Sequence, residues 1–413
     1  WLIGGLYVLL GSNAIAELAA MLPRSGGQYV YARRALGPYA GFVVGWSDWL
    51  STCGTTTAVS LVIGEYSGRL VPALAGYKIP IAIAVAVLFA LLQWRGVKWG
   101  GRTQEATTLL KALAFVGLIA ACFALGGGEA TAAQPARAAM PTGLALAAAI
   151  VVALQSVIYA YDGWAGVVYF SEEVRDPARD VPRSLFGGAI AVIVIYVLVN
   201  VALLYVLPIE RIAGAEFAGE LAATTLFGPS GGQIILVIVI VSMLSGINAY
   251  HLMATRTLFA MSRDRLFWSG AERVNTGGTP TVALLLSTIV AVAFSLWGDF
   301  ERVTAALAFF FVTNYTLSFV SIFVLRRREP NLRRPVRAWG YPWTTGIALA
   351  GSVAFLVGAV AADLGAENPD GRWPSSFVAL GLLALSYPVY RVIRRASRPQ
   401  RARRRRRKKT GRK

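Results

Sequence analysis

The chain has 413 residues, 56% of them hydrophobic and 15% charged, against about 45–50% and about 25% in an ordinary soluble domain, which argues against a water-soluble enzyme. The formal charge of +19 is concentrated at one end, because residues 391–413 hold 14 Lys and Arg and no acid and leave +5 for everything before them. Two cysteines without metal-site spacing, Cys53 and Cys122, and one histidine, His251, exclude a disulfide scaffold and a multi-histidine metal centre, so no metal or cofactor is expected.

A bilayer crossing needs about 20 largely apolar residues, because hydrocarbon cannot satisfy stray backbone N–H and C=O groups. Eleven stretches qualify, at residues 1–22, 39–71, 79–94, 107–125, 143–170, 185–207, 231–259, 280–297, 303–325, 345–362 and 376–392. The chain is therefore expected to be an all-α polytopic membrane protein, with a transmembrane domain over 1–393 and a disordered basic tail over 394–413.

After the first stretch, Leu22-Pro-Arg-Ser-Gly-Gly-Gln-Tyr29 reads as a helix stop and a turn. Its glycine pair does not make a phosphate loop, since no strand precedes it and no Lys-Ser/Thr follows. Glu17, Asp48 and Glu65 are placed towards the ends of their spans, pairing with neighbours or meeting the interface. Lys111 opens the fourth stretch, where a long cationic side chain can simply snorkel to the interface.

The fifth stretch carries the strongest signal, Ser156-Val-Ile-Tyr-Ala-Tyr-Asp-Gly-Trp-Ala-Gly166, with an acid and two glycines inside apolar sequence. A single helix over 143–174 would be about 48 Å long at about 1.5 Å per residue, which overshoots a core of about 30 Å. A break near Tyr159–Gly163 relieves the excess and frees backbone groups near mid-membrane, the means by which carriers hold charged solutes. The alternative is a tilted, kinked span with Asp162 at the inner interface. In the seventh stretch Ser242, Ser245, Gly246, Asn248 and His251 can serve a polar site or close helix packing.

Lys and Arg mark the cytoplasmic loops. Alternate loops hold 34 and 6 of them, and the excess survives removal of the tail. The C-terminus is expected inside, which puts Trp1 outside and predicts one more crossing upstream. Arg403 to Lys409 lacks interleaved aromatics, so contact with anionic lipid is expected and nucleic acid is not.

Three motifs together resemble the amino acid–polyamine–organocation family of permeases. Ala16-Glu-Leu-Ala-Ala-Met-Leu-Pro-Arg-Ser-Gly-Gly-Gln-Tyr-Val-Tyr31 with Leu36-Gly37 is similar to that family's second helix. Tyr161-Asp-Gly-Trp164, followed by Glu172-Glu-Val-Arg-Asp-Pro-Ala-Arg-Asp-Val-Pro-Arg183, resembles its sixth helix and the loop beyond. Asn248, Arg256-Thr-Leu-Phe-Ala-Met-Ser-Arg-Asp264 and Gly278-Thr-Pro280 resemble its eighth helix and onward.

The resemblance implies a twelve-helix, inverted-repeat (LeuT-type) fold in which these eleven spans are helices two to twelve and the first helix is missing. It implies a secondary transporter in the cell membrane that moves amino acids by alternating access, as a permease or exchanger and not an enzyme. A carrier of polyamines or other organocations, or a non-transporting ligand sensor, stays open as an alternative. Substrate contacts are implied for Tyr159, Ala160, Tyr161, Asp162, Gly163, Trp164 and Asn248, with Tyr159 as an aromatic gate. Val97-Lys-Trp99 with Arg102, Gln104, Glu105 and Lys111 resembles the L-type branch, in which Lys111 would replace a sodium ion and bond to Ser242. With both cysteines inside spans, an accessory subunit has no support.

Overall fold

The computed structural model describes residues 1–95, 98–126, 142–215, 217–297, 300–365 and 373–410. Its elements are helical: α1 Leu2–Met21, α2 Tyr29–Leu36, α3 Pro38–Leu70, α4 Lys78–Trp94, α5 Lys98–Leu125, α6 Gly143–Tyr161, α7 Pro177–Val206, α8 Ile209–Ile212, α9 Ala218–Phe227, α10 Pro229–Arg263, α11 Thr281–Trp297, α12 Phe300–Arg328, α13 Trp343–Gly365 and α14 Ser375–Thr410. No strand occurs among the described residues, and ten of the eleven apolar stretches fall on a single helix, the fifth being interrupted after Tyr161. Among the described residues eight helices are long and apolar enough to cross a membrane, with shorter apolar segments at Lys111–Leu125 and Thr281–Trp297. The helix α14 is continuous to Thr410 and so takes up most of the basic tail.

Burial separates a centre from a periphery. In the most apolar window of α1 and of α12, 72% and 67% of residues are buried, against 6% for α6 and 17% for α7. Outward-facing leucines, isoleucines and valines such as Leu88, Val152, Ile190 and Ile289 suit hydrocarbon, which satisfies no polar group but accommodates apolar ones. The third central helix is α3, packed against α2, α4, α10, α11, α12 and α14. It is rich in hydroxyls, yet Thr52, Thr55 and Thr56 each donate to a carbonyl one turn back, which satisfies them within the helix, while Thr57 donates to the Ala291 carbonyl of α11 at 2.6 Å.

Charged pairs tie several helix ends together. Glu17, fully buried in α1, accepts from the Arg326 guanidinium at 3.0 and 2.5 Å and from the Ala338 N–H at 2.7 Å. Arg326 also lies 3.7 Å over the Tyr341 ring. Glu65 meets Lys78 at 2.6 Å and Arg69 at 3.7 Å, so both glutamates pair with neighbours as expected.

Close packing of α3 on α4 depends on Gly64, where a Cβ would collide with the backbone carbonyl of Lys78. Alanine gains about 1 kcal/mol of helix propensity over glycine, but overpacking against rigid backbone costs about 1–3 kcal/mol. Gly64→Ala is therefore expected to lower the thermal midpoint in detergent; a raised midpoint would show that the two helices separate freely.

Candidate functional site

Helix α6 ends at Tyr161, and the backbone then turns sharply through Asp162 (φ −59°, ψ 150°) and Gly163 (φ +101°). It resumes as a tight 3-10 segment over Gly166–Glu173. The turn needs glycine at 163 for its dihedral and not for space, because a Cβ there would meet nothing nearer than the Tyr250 hydroxyl at 4.0 Å. The interruption thus lies at the C-terminal end of the Tyr159–Gly163 stretch expected from sequence. As a result the Tyr159 carbonyl accepts from the Asp162 N–H at 3.2 Å, and the Ala160 carbonyl accepts from the Tyr196 hydroxyl at 2.7 Å.

The broken segment forms one wall of a cavity of about 20 Å³, room for about one water molecule. Asp162 and Gly163 line it from the break, Asp48 and Thr52 from α3, Tyr250 and Met253 from α10, and Asn314 and Tyr315 from α12. The Tyr315 hydroxyl donates to Asp162 Oδ1 at 2.6 Å, and the Tyr315 ring packs 5.2 Å from that of Trp164. On the opposite wall the Tyr169 hydroxyl donates to Asp48 Oδ1 at 2.6 Å. Asp48 is 3% exposed and its Oδ2 has no hydrogen-bond partner.

Asp48 departs from the expectation of a span-end acid pairing with a neighbour. It stands ten residues into α3, about 15 Å along the helix axis, at a depth where an acid needs a cavity or a partner. Residue counting from Pro38 would have found it; Tyr315 and Tyr169 carry no comparable signal in their aromatic-rich surroundings.

The other expected residues are distributed around the break. Tyr159 makes an edge contact with Phe300 at 6.0 Å, and Tyr161 is buried with its hydroxyl on the Trp1 carbonyl at 3.3 Å. Asn248 is buried against α4, where its Oδ1 and its carbonyl both accept from the Gln93 amide, at 3.1 and 2.7 Å. Helix α5 packs on α10, and Lys111 and Ser242 are both half-buried. Each lies about 20 Å from the helix end that the charge count places outside, at about 1.5 Å per residue. Val97 and the side chains of residues 98–108 lie outside the described residues.

The 3-10 segment is fastened to the C-terminal end of α10. Glu172 makes a two-pronged ion pair with Arg263 at 2.8 and 3.0 Å, and Glu173 pairs with Arg256. Asp264 holds Arg24 at 3.2 Å, Arg33, and the Tyr29 hydroxyl at 3.3 Å. These contacts join the turn after α1, helix α2 and the broken segment to the C-terminal end of α10.

Residues 1–385 match the family model described as "Amino acid permease". The serine/threonine exchanger SteT of Bacillus subtilis (strain 168) is 30% identical over 368 residues, covering 86% of this chain and 81% of that protein. The Asc-type amino acid transporter 1 of Mus musculus is 28% identical over 82% of this chain, and the large neutral amino acids transporter small subunit 2 of Homo sapiens 26% over the same share. The chain spans 65% and 64% of the length of these two mammalian relatives. These relatives are transporters and not enzymes. The chain is a multi-pass membrane protein and belongs to the amino acid permease family.

Proposed function

We propose that the protein exchanges amino acids across the cell membrane by alternating access, with the substrate's charged ends held at the break after α6. The single observation that carries this reading is the interruption at Asp162–Gly163 in the wall of a cavity that also contains a second carboxylate. Backbone groups freed at the break and the two carboxylates stand ready for an ammonium group. Tyr159, Ala160, Tyr161, Trp164 and Asn248 shape and support this wall in the proposal, and the charged inner contacts open when the site faces the cytoplasm. The exchange mode is drawn from SteT, whose name describes a serine/threonine exchanger.

In the same proposal the C-terminus is cytoplasmic and the basic tail rests on anionic lipid, while an accessory subunit is not invoked. Lys111 substitutes for a coupling cation by bonding towards Ser242. Lys111→Ala should slow exchange about tenfold, equivalent to 1.4 kcal/mol, without changing the order in which amino acids compete. Unchanged exchange kinetics would return Lys111 to a snorkelling role.

The direct test is uptake of labelled serine and threonine into proteoliposomes preloaded with unlabelled amino acid, followed by competition with the common amino acids. Uptake that depends on the internal amino acid supports the proposal. Binding without flux would point to a sensor. A second reading, transport of amines or other organocations, is favoured specifically by the two cavity carboxylates; competition by amines lacking a carboxylate would establish it.

A further inference from the structure

Asp48 and Asp162 face one small cavity, and no Lys or Arg lines it. Each carboxylate receives one tyrosine hydroxyl, but Asp48 Oδ2 is buried and unpartnered. An isolated ionised oxygen in that position is costly, and two like charges sharing a desolvated space are costlier still. The groups facing Asp48 offer no compensating cation: Tyr169 and Asp162 from the broken segment, Tyr250 from α10 and Tyr315 from α12, with Tyr31 of α2 buried beside Tyr169. Helices α4, α11 and α14 contribute no residue to the cavity wall. Among the described residues no cluster of three or more acidic, cysteine or histidine side chains could hold a metal ion.

We infer that the empty carrier holds one proton between Asp48 and Asp162, on the otherwise unpartnered Asp48 oxygen, and that the ammonium group of an arriving amino acid displaces it. In that exchange the Asp48 O–H bond breaks, the proton leaves to water, and the substrate ammonium supplies the positive charge the pair requires. Nothing is oxidised or reduced. The two carboxylates titrate as a pair, so the released proton belongs to both. The carrier would then return empty only with a proton aboard, giving proton-for-amino-acid antiport when no second amino acid is present. Substrate affinity should rise about tenfold per pH unit over the range in which the pair holds its proton, since binding and release are linked.

This inference rests on the amino acid reading above, and one experiment separates the two. The purified intact protein is titrated with serine and threonine in weakly buffered detergent solution containing a pH indicator, while binding is followed in parallel by heat. The expected result is about one proton released per amino acid bound, reduced to near zero in Asp48→Asn and restored in Asp48→Glu. Binding with no proton release by the wild type would overturn the inference and leave the transport reading intact, as would binding that requires sodium in place of a proton. Undiminished release by Asp48→Asn would remove Asp48 from the role. No binding of any amino acid would overturn both. The wild-type measurement decides the matter even if the asparagine variant does not fold.

Discussion

Asp162→Ala is expected to cut amino acid uptake into proteoliposomes by about 10- to 150-fold while leaving the protein inserted and monodisperse. The substitution deletes a carboxylate that accepts a 2.6 Å hydrogen bond from Tyr315. It also removes the negative charge at the point where the chain leaves α6. A hydrogen bond to a charged group contributes about 1.5–3 kcal/mol, and each 1.4 kcal/mol is tenfold in an equilibrium. Two companions separate the contributions. Asp162→Asn keeps an acceptor for Tyr315 but no charge, so it should resemble the alanine variant if charge on the substrate matters. Tyr315→Phe removes only the donor and should be the mildest of the three. Wild-type uptake by both Asp162 variants would rule this carboxylate out of the site.

Gly163→Leu should abolish uptake, and Gly163→Ala should reduce it about 5- to 30-fold. The two substitutions act through different physics. At φ +101° any L side chain is strained by about 1–2 kcal/mol, which is the whole effect for alanine, since a Cβ meets only the Tyr250 hydroxyl at 4.0 Å. Leucine adds three further carbons beside a cavity of about 20 Å³, so it fills the space as well as straining the turn. Equal effects from the two would mean that only the turn matters. No effect from either would mean that the turn is not used in transport. Initial rates measured at matched protein incorporation decide between these outcomes.

Much of the architecture is legible because membrane crossing imposes a length and a composition, and the apolar stretches are helical, with the fifth interrupted after Tyr161. Even α3 was recognisable despite Asp48, Glu65 and its many hydroxyls, since its polar groups are spaced within a long apolar run. The turn after α1 was legible too: Gly26 and Gly27 take positive φ values of 124° and 85°, as their adjacency suggested. The short helices α8 and α9 were not foreseen, because four and ten residues carry too few periodic positions to distinguish a helix from a loop.

The site was legible in part. An acid followed by glycine inside an apolar run identified the break, because that pairing is hard to explain in a continuous span. Its location by residue was less well fixed, since helix propensity does not say whether Tyr161 ends a turn or continues one. Asp48 was misplaced for a different reason. Ten residues from the start of α3 reads as near a span end, where an acid pairs with a neighbour or meets the interface, but the helix axis carries it about 15 Å inwards. Its partner Tyr169 and the donor Tyr315 come from distant segments, 121 and 153 residues from the carboxylates they meet. Nothing local in the sequence announces such pairings. Asn248 showed the converse: a polar residue in a suggestive motif that the fold turns towards Gln93.

The most direct test is an experimental density map of the intact carrier with serine or threonine bound, together with one of the empty protein. The account predicts that α6 stops at Tyr161 in both maps and that the substrate's ammonium nitrogen lies within hydrogen-bond distance of the Asp162–Gly163 turn, on the side facing Asp48. A continuous helix through residues 159–166, or substrate density seated away from this turn, would contradict it.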